Sequence, residues 1–326
     1  MLKLGAHRGP KWERARPLTM ETDDSSAVPA LFTSRIPPPR KRVRFRNVVV
    51  ATDLSVGGAS AVTAGAEIAR KTGARLSVIS IVEPPRCPEL ILPVEPGIGK
   101  WLGSQQDWVR QMIENELEKA GIESALVHVS VGDPATLVAA FSRSLDSSLI
   151  VLGDHKYSTM ERILGRPNGE RIARNVTCPV MIAARGAEGP FRRILAAIDL
   201  SPTSWSVLEY AGHLARFEAG EVRVVFSQET PARRWRGFGF RDFLASRLTC
   251  RHRVEDLVAG SRLPAGTQSA VLHGPAGKAL LNEAQEWKAD LVVMGVRRRK
   301  VPSASRIGRT ARFVLHHGDR SVTLVP

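Results

Sequence analysis

The sequence predicts an α/β fold: two tandem open parallel five-stranded sheets with flanking helices, Rossmann-like in plan. Three observations carry this. One stretch of chain is written twice, each copy alternates strand-like runs with amphipathic helical stretches, and the strand-like runs are apolar almost throughout. Val48-Val49-Val50-Ala51-Thr52-Asp53-Leu54-Ser55 returns as Ile194-Leu195-Ala196-Ala197-Ile198-Asp199-Leu200-Ser201, an offset of 146. Val131-Gly132-Asp133-Pro134-Ala135 answers to His273-Gly274-Pro275-Ala276, and Leu149-Ile150-Val151-Leu152-Gly153 to Leu291-Val292-Val293-Met294-Gly295, both at an offset of 142. A whole domain is repeated, and 326 residues are enough for a core in each copy.

Residues 1–42 fit neither copy. Pro37-Pro38-Pro39, scattered Arg and Lys and the lack of apolar periodicity predict a disordered basic, proline-rich arm. The first domain, residues 43–185, reads as strands at about 47–52, 75–82, 125–130, 148–153 and 179–184, rich in Val, Ile and Leu. Such continuous apolar runs suit a parallel sheet covered on both faces. Between them, Val62/Ala66/Ala69, Val109/Met112/Ile113/Leu117 and Leu137/Ala140/Phe141/Leu145 follow the spacing of one helix face. Residues 186–190 are short and polar and form the predicted linker. The second domain, residues 191–326, repeats the scheme with helix faces Leu208/Ala211/Ala215, Leu244/Leu248 and Leu280/Ala284/Trp287.

Charge is unevenly spread. Residues 1–46 carry a net +7, residues 47–190 a net −2 and residues 191–326 a net +10, within a total of +15. A basic half is read either as a solvated face, its arginines in water or paired with acidic residues of the first copy, or as a surface for polyanions, nucleic acid among them. The candidate cluster is Arg233, Arg234 and Arg236 after the second strand of the second copy, with Arg297, Arg298, Arg299 and Lys300 after the fourth; Trp235 offers a stacking face.

Several chemistries are excluded. Gly99-Lys100 and Gly277-Lys278 lack the upstream glycine and the following Ser or Thr of a P-loop, and Gly237-Phe238-Gly239 lacks the third glycine of a dinucleotide fingerprint. Gly97-Ile98-Gly99 does not directly follow a strand. There is no Gly-x-Ser-x-Gly elbow, and neither Cys250/His252 nor His316-His317 has zinc-site spacing. No apolar run reaches the ~18 residues of a membrane span, and three cysteines, Cys87, Cys178 and Cys250, give no disulfide framework. The expected place is the cytoplasm.

A strand ending in Asp-Leu-Ser, then Gly-Asp-Pro-Ala before a helix, then Leu-Ile-Val-Leu-Gly, then Cys178-Pro179-Val180 on the last strand resembles the universal stress protein family, here as a tandem member. The resemblance implies a non-enzymatic stress-response or regulatory role, with a nucleotide-binding or slowly ATP-hydrolysing protein as the alternative, a fourth strand lying beside the first, and a ligand crevice at the carboxyl ends of those two strands. It also implies ATP or AMP as ligand, with Asp53, Gly132, Gly153, Lys156 and Gly165 as the site of the first copy, the favoured one. In the second copy the corresponding residues are Asp199, Gly295, Arg298 and Gly308. Both loops depart from the family's nucleotide pattern of Gly, two residues, Gly, nine residues, then Gly and Ser or Thr. Lys156 and Arg298 stand at the second glycine, and Gly165 comes one residue early before Arg166-Pro167. Gly308 is correctly spaced but followed by Arg309. The backbone phosphate cradle is therefore degraded, with cations available in its place. Asp53 and Asp199 have a second reading, as carboxylates that cap the turn into a helix. The resemblance further implies an intramolecular pseudo-dimer in which last strands 179–184 and 321–326 lie close together; a monomer is then the expected state.

Overall fold

The computed structural model describes residues 44–83, 96–122, 124–154, 168–187, 189–228, 240–296 and 307–326. In the first copy β1 (Asn47–Ala51), β2 (Arg75–Val82), β3 (Leu126–Val131), β4 (Leu149–Gly153) and β5 (Val180–Ala183) alternate, among the described residues, with four helices. These are α1 (Val56–Thr72), α2 (Pro96–Lys119), α3 (Pro134–Ser144) and α4 (Asn168–Asn175). The second copy has β6 (Arg193–Ile198), β7 (Glu221–Gln228), β8 (Gln268–His273), β9 (Leu291–Gly295) and β10 (Ser321–Val325). Its helices are α5 (Thr203–Glu218), α6 (Phe240–Ala259), α7 (Ala276–Glu286) and α8 (Arg309–His317). The expected architecture is present, with strand limits within a residue or so of those read from the sequence.

Within each copy all pairing is parallel, and the fourth strand lies beside the first: Val48 faces Leu149 in one copy, Ile194 faces Leu291 in the other. The two sheets are continuous. β5 and β10 pair antiparallel and give one ten-stranded sheet in the order β3-β2-β1-β4-β5-β10-β9-β6-β7-β8. Apolar runs in the central strands are buried on both faces. On one face Val48, Val50, Leu149 and Val151 pack beneath α1, α2, α5 and α6; on the other Val49, Ile150, Leu195 and Val292 pack beneath α3, α4, α7 and α8.

Local chemistry sets the helix ends. Ser55 caps α1 by accepting the Gly58 N–H at 3.1 Å, and Gly73 ends it in the left-handed region at φ 68°. Two predicted helix faces need correction. In α3 the buried positions are Ala135, Val138, Ala139 and Ser142, so Leu137, Phe141 and Leu145 lie at the margin and Ala140 is exposed. Leu248 of α6 is 57% exposed; this helix buries Cys250, Val254 and Leu257. In both cases several apolar series coexist on one helix, and the one fitting the sheet wins. Cys178, before β5, is half-buried.

The junction between the copies is polar on both sides of the sheet. Under α1 and α5, Lys71 reaches Glu67 at 3.0 Å in its own copy and the buried Glu218 at 2.5 Å in the other. Burial works to lower the Lys71 pKa, but the two carboxylates outweigh it and hold the ammonium above its ordinary value. On the opposite face Glu170 of α4, whose side chain is 3% exposed, accepts from Arg174 at 3.4 Å. Across the junction it meets Arg312 at 3.3 Å and His316 at 3.1 Å, both on α8. At the β3 edge, Gln106 and Arg110 of α2 donate to the Val129 and Val127 carbonyls at 3.2 and 3.0 Å.

Candidate functional site

The strand order places switch points at the carboxyl ends of β1 and β4 and of β6 and β9. Asp53 and Asp199 both stand there, exposed and with equivalent bonds. Asp53 Oδ1 accepts the Ser55 N–H at 3.0 Å, and Asp199 Oδ1 accepts the Ser201 N–H at 3.0 Å and the Ser204 hydroxyl at 3.4 Å. The residues between, Leu54 and Leu200, are left-handed at φ 61° and 57°. Each carboxylate thus closes the turn that leads its strand into the first helix.

Gly153 and Gly295 serve packing. A Cβ on Gly153 would lie 2.2 Å from the backbone carbon and oxygen of Gly57, so the start of α1 already occupies the space the missing side chain leaves. On Gly295 it would meet Thr203 Cγ2 at 2.9 Å. Neither glycine offers an open backbone cradle. Gly132 sits at φ 147° before α3, whereas Gly308, with nothing within 4 Å of a built Cβ, is the N-cap of α8.

The two copies differ most at the third helix. In the first, Asp133 caps α3, accepting the Thr136 N–H at 3.0 Å and hydroxyl at 2.7 Å, and pairs with Arg171 at 2.7 Å. The bond from Thr136 leads in holding the Asp133 carboxyl below its usual range; burial opposes it, and Arg171 adds to the lowering. A negative group of the protein's own thus fills the anion position at this helix start. In the second copy Pro275 stands in place of Asp133 and Phe313 in place of Arg171. Pro275 and Gly308 have no side-chain acceptor, and the first turns of α7 and α8 contain no acidic residue.

These two helix starts open onto a cleft of about 680 Å³ in the second copy. Its walls are apolar, from Ile198, Val207, Phe226 and Met294; Asp199, Ser204 and Ser227 add polar groups, and Lys278, Arg309 and Thr310 stand at the helix starts. Lys278 and Arg309 are exposed. Such a space suits a flat or apolar body carrying an anionic group, because apolar walls, two helix starts and two cations border the same cleft.

Asp199, Gly295 and Gly308 are therefore brought together in one cleft, and Asp53 and Gly153 lie at the matching place of the first copy. Lys156, Gly165 and Arg298 lie outside the described residues, as do Arg233, Arg234, Arg236, Arg297, Arg299 and Lys300. Reading the sequence missed Lys278, Arg309 and Thr310 as site residues, although each occupies the first turn of a helix that follows a Gly-containing loop. Among the described residues no group of His, Cys, Asp and Glu gathers as a metal site, and no helix is long and apolar enough to cross a membrane.

The sequence profile of the universal stress protein family matches residues 44–184 and again 190–326. A curated universal stress protein of Methanocaldococcus jannaschii is 25% identical over 146 residues, which is 43% of this chain and 83% of that protein. Among solved structures, a universal stress protein from Archaeoglobus fulgidus aligns at a TM-score of 0.62 and 20% identity, covering 87% of this chain and 97% of that one. A functionally unknown protein from Pseudomonas aeruginosa aligns at 0.60 and 18%, covering 86% and 92%. These two likenesses support the fold over both copies.

Proposed function

Since the chain belongs to the universal stress protein family, with two copies of its domain in tandem, we propose that it is a non-enzymatic stress-response regulator that senses a phosphate-bearing ligand of the adenine nucleotide class. The second repeat is the binding half. One observation carries this reading: in the cleft behind Asp199, Lys278 and Arg309 meet two helix starts free of acidic residues, beside apolar walls. An adenine ring would lie against Ile198, Phe226 and Met294, and a phosphate would take up the charge of Lys278, Arg309 and the N-termini of α7 and α8. Side-chain cations supply here what the glycine loop of the family pattern supplies elsewhere, so Arg309 in place of Ser or Thr is compatible with an anion. The first repeat has Asp133 at the corresponding helix start, which disfavours a second phosphate there.

The experiment is isothermal titration of the whole chain with AMP and with ATP, beside mass spectrometry of small molecules released from the purified protein. Binding that is lost in K278A/R309A supports the reading. No heat at millimolar nucleotide, or equal affinity in K278A/R309A, removes it; loss of binding in K156A instead moves the site to the first repeat. Heparin retention unaffected by nucleotide but lowered by R297A/R298A/R299A points to a polyanion-binding role.

A further inference from the structure

Glu170 and Arg312 occupy the same position of the repeat, 142 residues apart, and so do Arg174 and His316. They also face one another: both Glu170 oxygens are engaged, one by Arg174 and the other by Arg312 and His316. On the other side of the sheet Lys71 bonds Glu218, although the repeat places Phe217 opposite Lys71 and Thr72 opposite Glu218. A symmetric junction has thus acquired asymmetric charges on both faces.

We infer that the junction face of the second repeat rejects a second copy of itself and accepts only a face carrying a buried carboxylate at the position of Glu170. Pairing the second repeat with its own kind sets Arg312 and His316 against Arg312 and His316, four basic groups with no acid among them. It also leaves Glu218, 1% exposed, facing Phe217 with no ammonium within reach. An uncompensated buried charge is far more costly than the pair is favourable. Pairing the first repeat with its own kind is less penalised, because each Glu170 finds the opposite Arg174 and each Lys71 keeps Glu67. The partner this surface fits is therefore the acidic first repeat, in the same chain or in another. Exchange between chains is limited to that combination, whereas second repeats do not associate through β10.

The test exchanges the charged faces in the full chain and follows thermal unfolding. E170R/R174H makes both helices Arg/His, copying the rejected pairing, and its melting temperature should fall by about 5–10 °C. R312E/H316R makes both Glu/Arg and should fall by less. Combining all four substitutions merely swaps the two faces and should return the protein to within about 3 °C of the parent. The inference is overturned if E170R/R174H melts with the parent, if R312E/H316R loses as much as E170R/R174H, or if the fourfold variant is no more stable than E170R/R174H. Should E170R/R174H not fold at all, the last two comparisons still decide.

Discussion

Met181 and Thr323 hold the same place in their repeats and lie directly opposite each other in the antiparallel β5/β10 pair. The pseudo-two-fold axis of the molecule passes between them, since Val180 faces Leu324 and Ile182 faces Val322 on either side. Thr323 is fully buried, and its hydroxyl lies near that of the fully buried Tyr210 on α5. Neither oxygen makes a hydrogen bond by geometry, and burial holds the Tyr210 phenol far above its ordinary pKa. Tyr210→Phe should therefore change stability by less than about 0.5 kcal/mol, or raise it, in urea unfolding. A loss above about 1.5 kcal/mol means that the two hydroxyls are bonded to each other, directly or through an ordered water.

Asp133 should make the first repeat acid-sensitive. Its carboxyl is held below the ordinary value of 3.8, so its contribution is present above that value and is lost as pH falls through the lower, folded one. Asp133→Ala removes the α3 cap and should cost about 1 kcal/mol at pH 7. The difference from the parent should shrink in unfolding curves as the pH is taken well below 3.8. A difference that persists there contradicts the capping role of the ionised group.

Alanine at three glycines should separate packing from ligand contact. Gly153→Ala presses a methyl group into the Gly57 backbone and should cost about 3 kcal/mol. Gly295→Ala meets the end of a side chain, Thr203 Cγ2, and should cost about 1 kcal/mol. Gly308, at φ −59° with open space around it, meets no clash, and alanine there should lose only the better N-cap preference of glycine, about 0.5 kcal/mol. Chemical denaturation of the three variants checks the order.

Lys71→Met strands Glu218, whose second oxygen already lacks a hydrogen bond, and should destabilise by about 3 kcal/mol. K71M/E218L removes both charges and should recover most of that loss. Equal losses in K71M and K71M/E218L contradict the view that the cost comes from the stranded carboxylate.

Much of the fold is legible because duplication and apolar continuity act over short stretches of chain. Val48–Ala51 and Ile194–Ala197 each declare a buried parallel strand without reference to anything distant, and the same residue spacing marks the turns at Asp53 and Asp199. Helix faces are less legible where two apolar series overlap, as with Leu137/Phe141 against Val138/Ala139 in α3. The least legible features depend on what another copy presents. Glu170 reads as one more charged residue on a short helix until Arg312 and His316 come across from α8. The glycines mislead for a related reason: Gly153 sits where a phosphate-binding glycine belongs, yet the closeness of Gly57, more than ninety residues away, explains it. Lys278 gives little local signal, because its significance lies in the loss of an aspartate three positions earlier relative to the first copy.

Joining β5 to β10 leaves the molecule with two terminal strands, β3 and β8, where two separate sheets have four. At β3 two outward carbonyls are already taken by Gln106 and Arg110. Unsatisfied strand margins are templates for amyloid-like and other unwanted self-association. The duplication thus protects the protein against such growth without charged gatekeepers inside β5 or β10: each copy shields the apolar margin of the other, and selection for solubility at the flanks is left to act on β3 and β8.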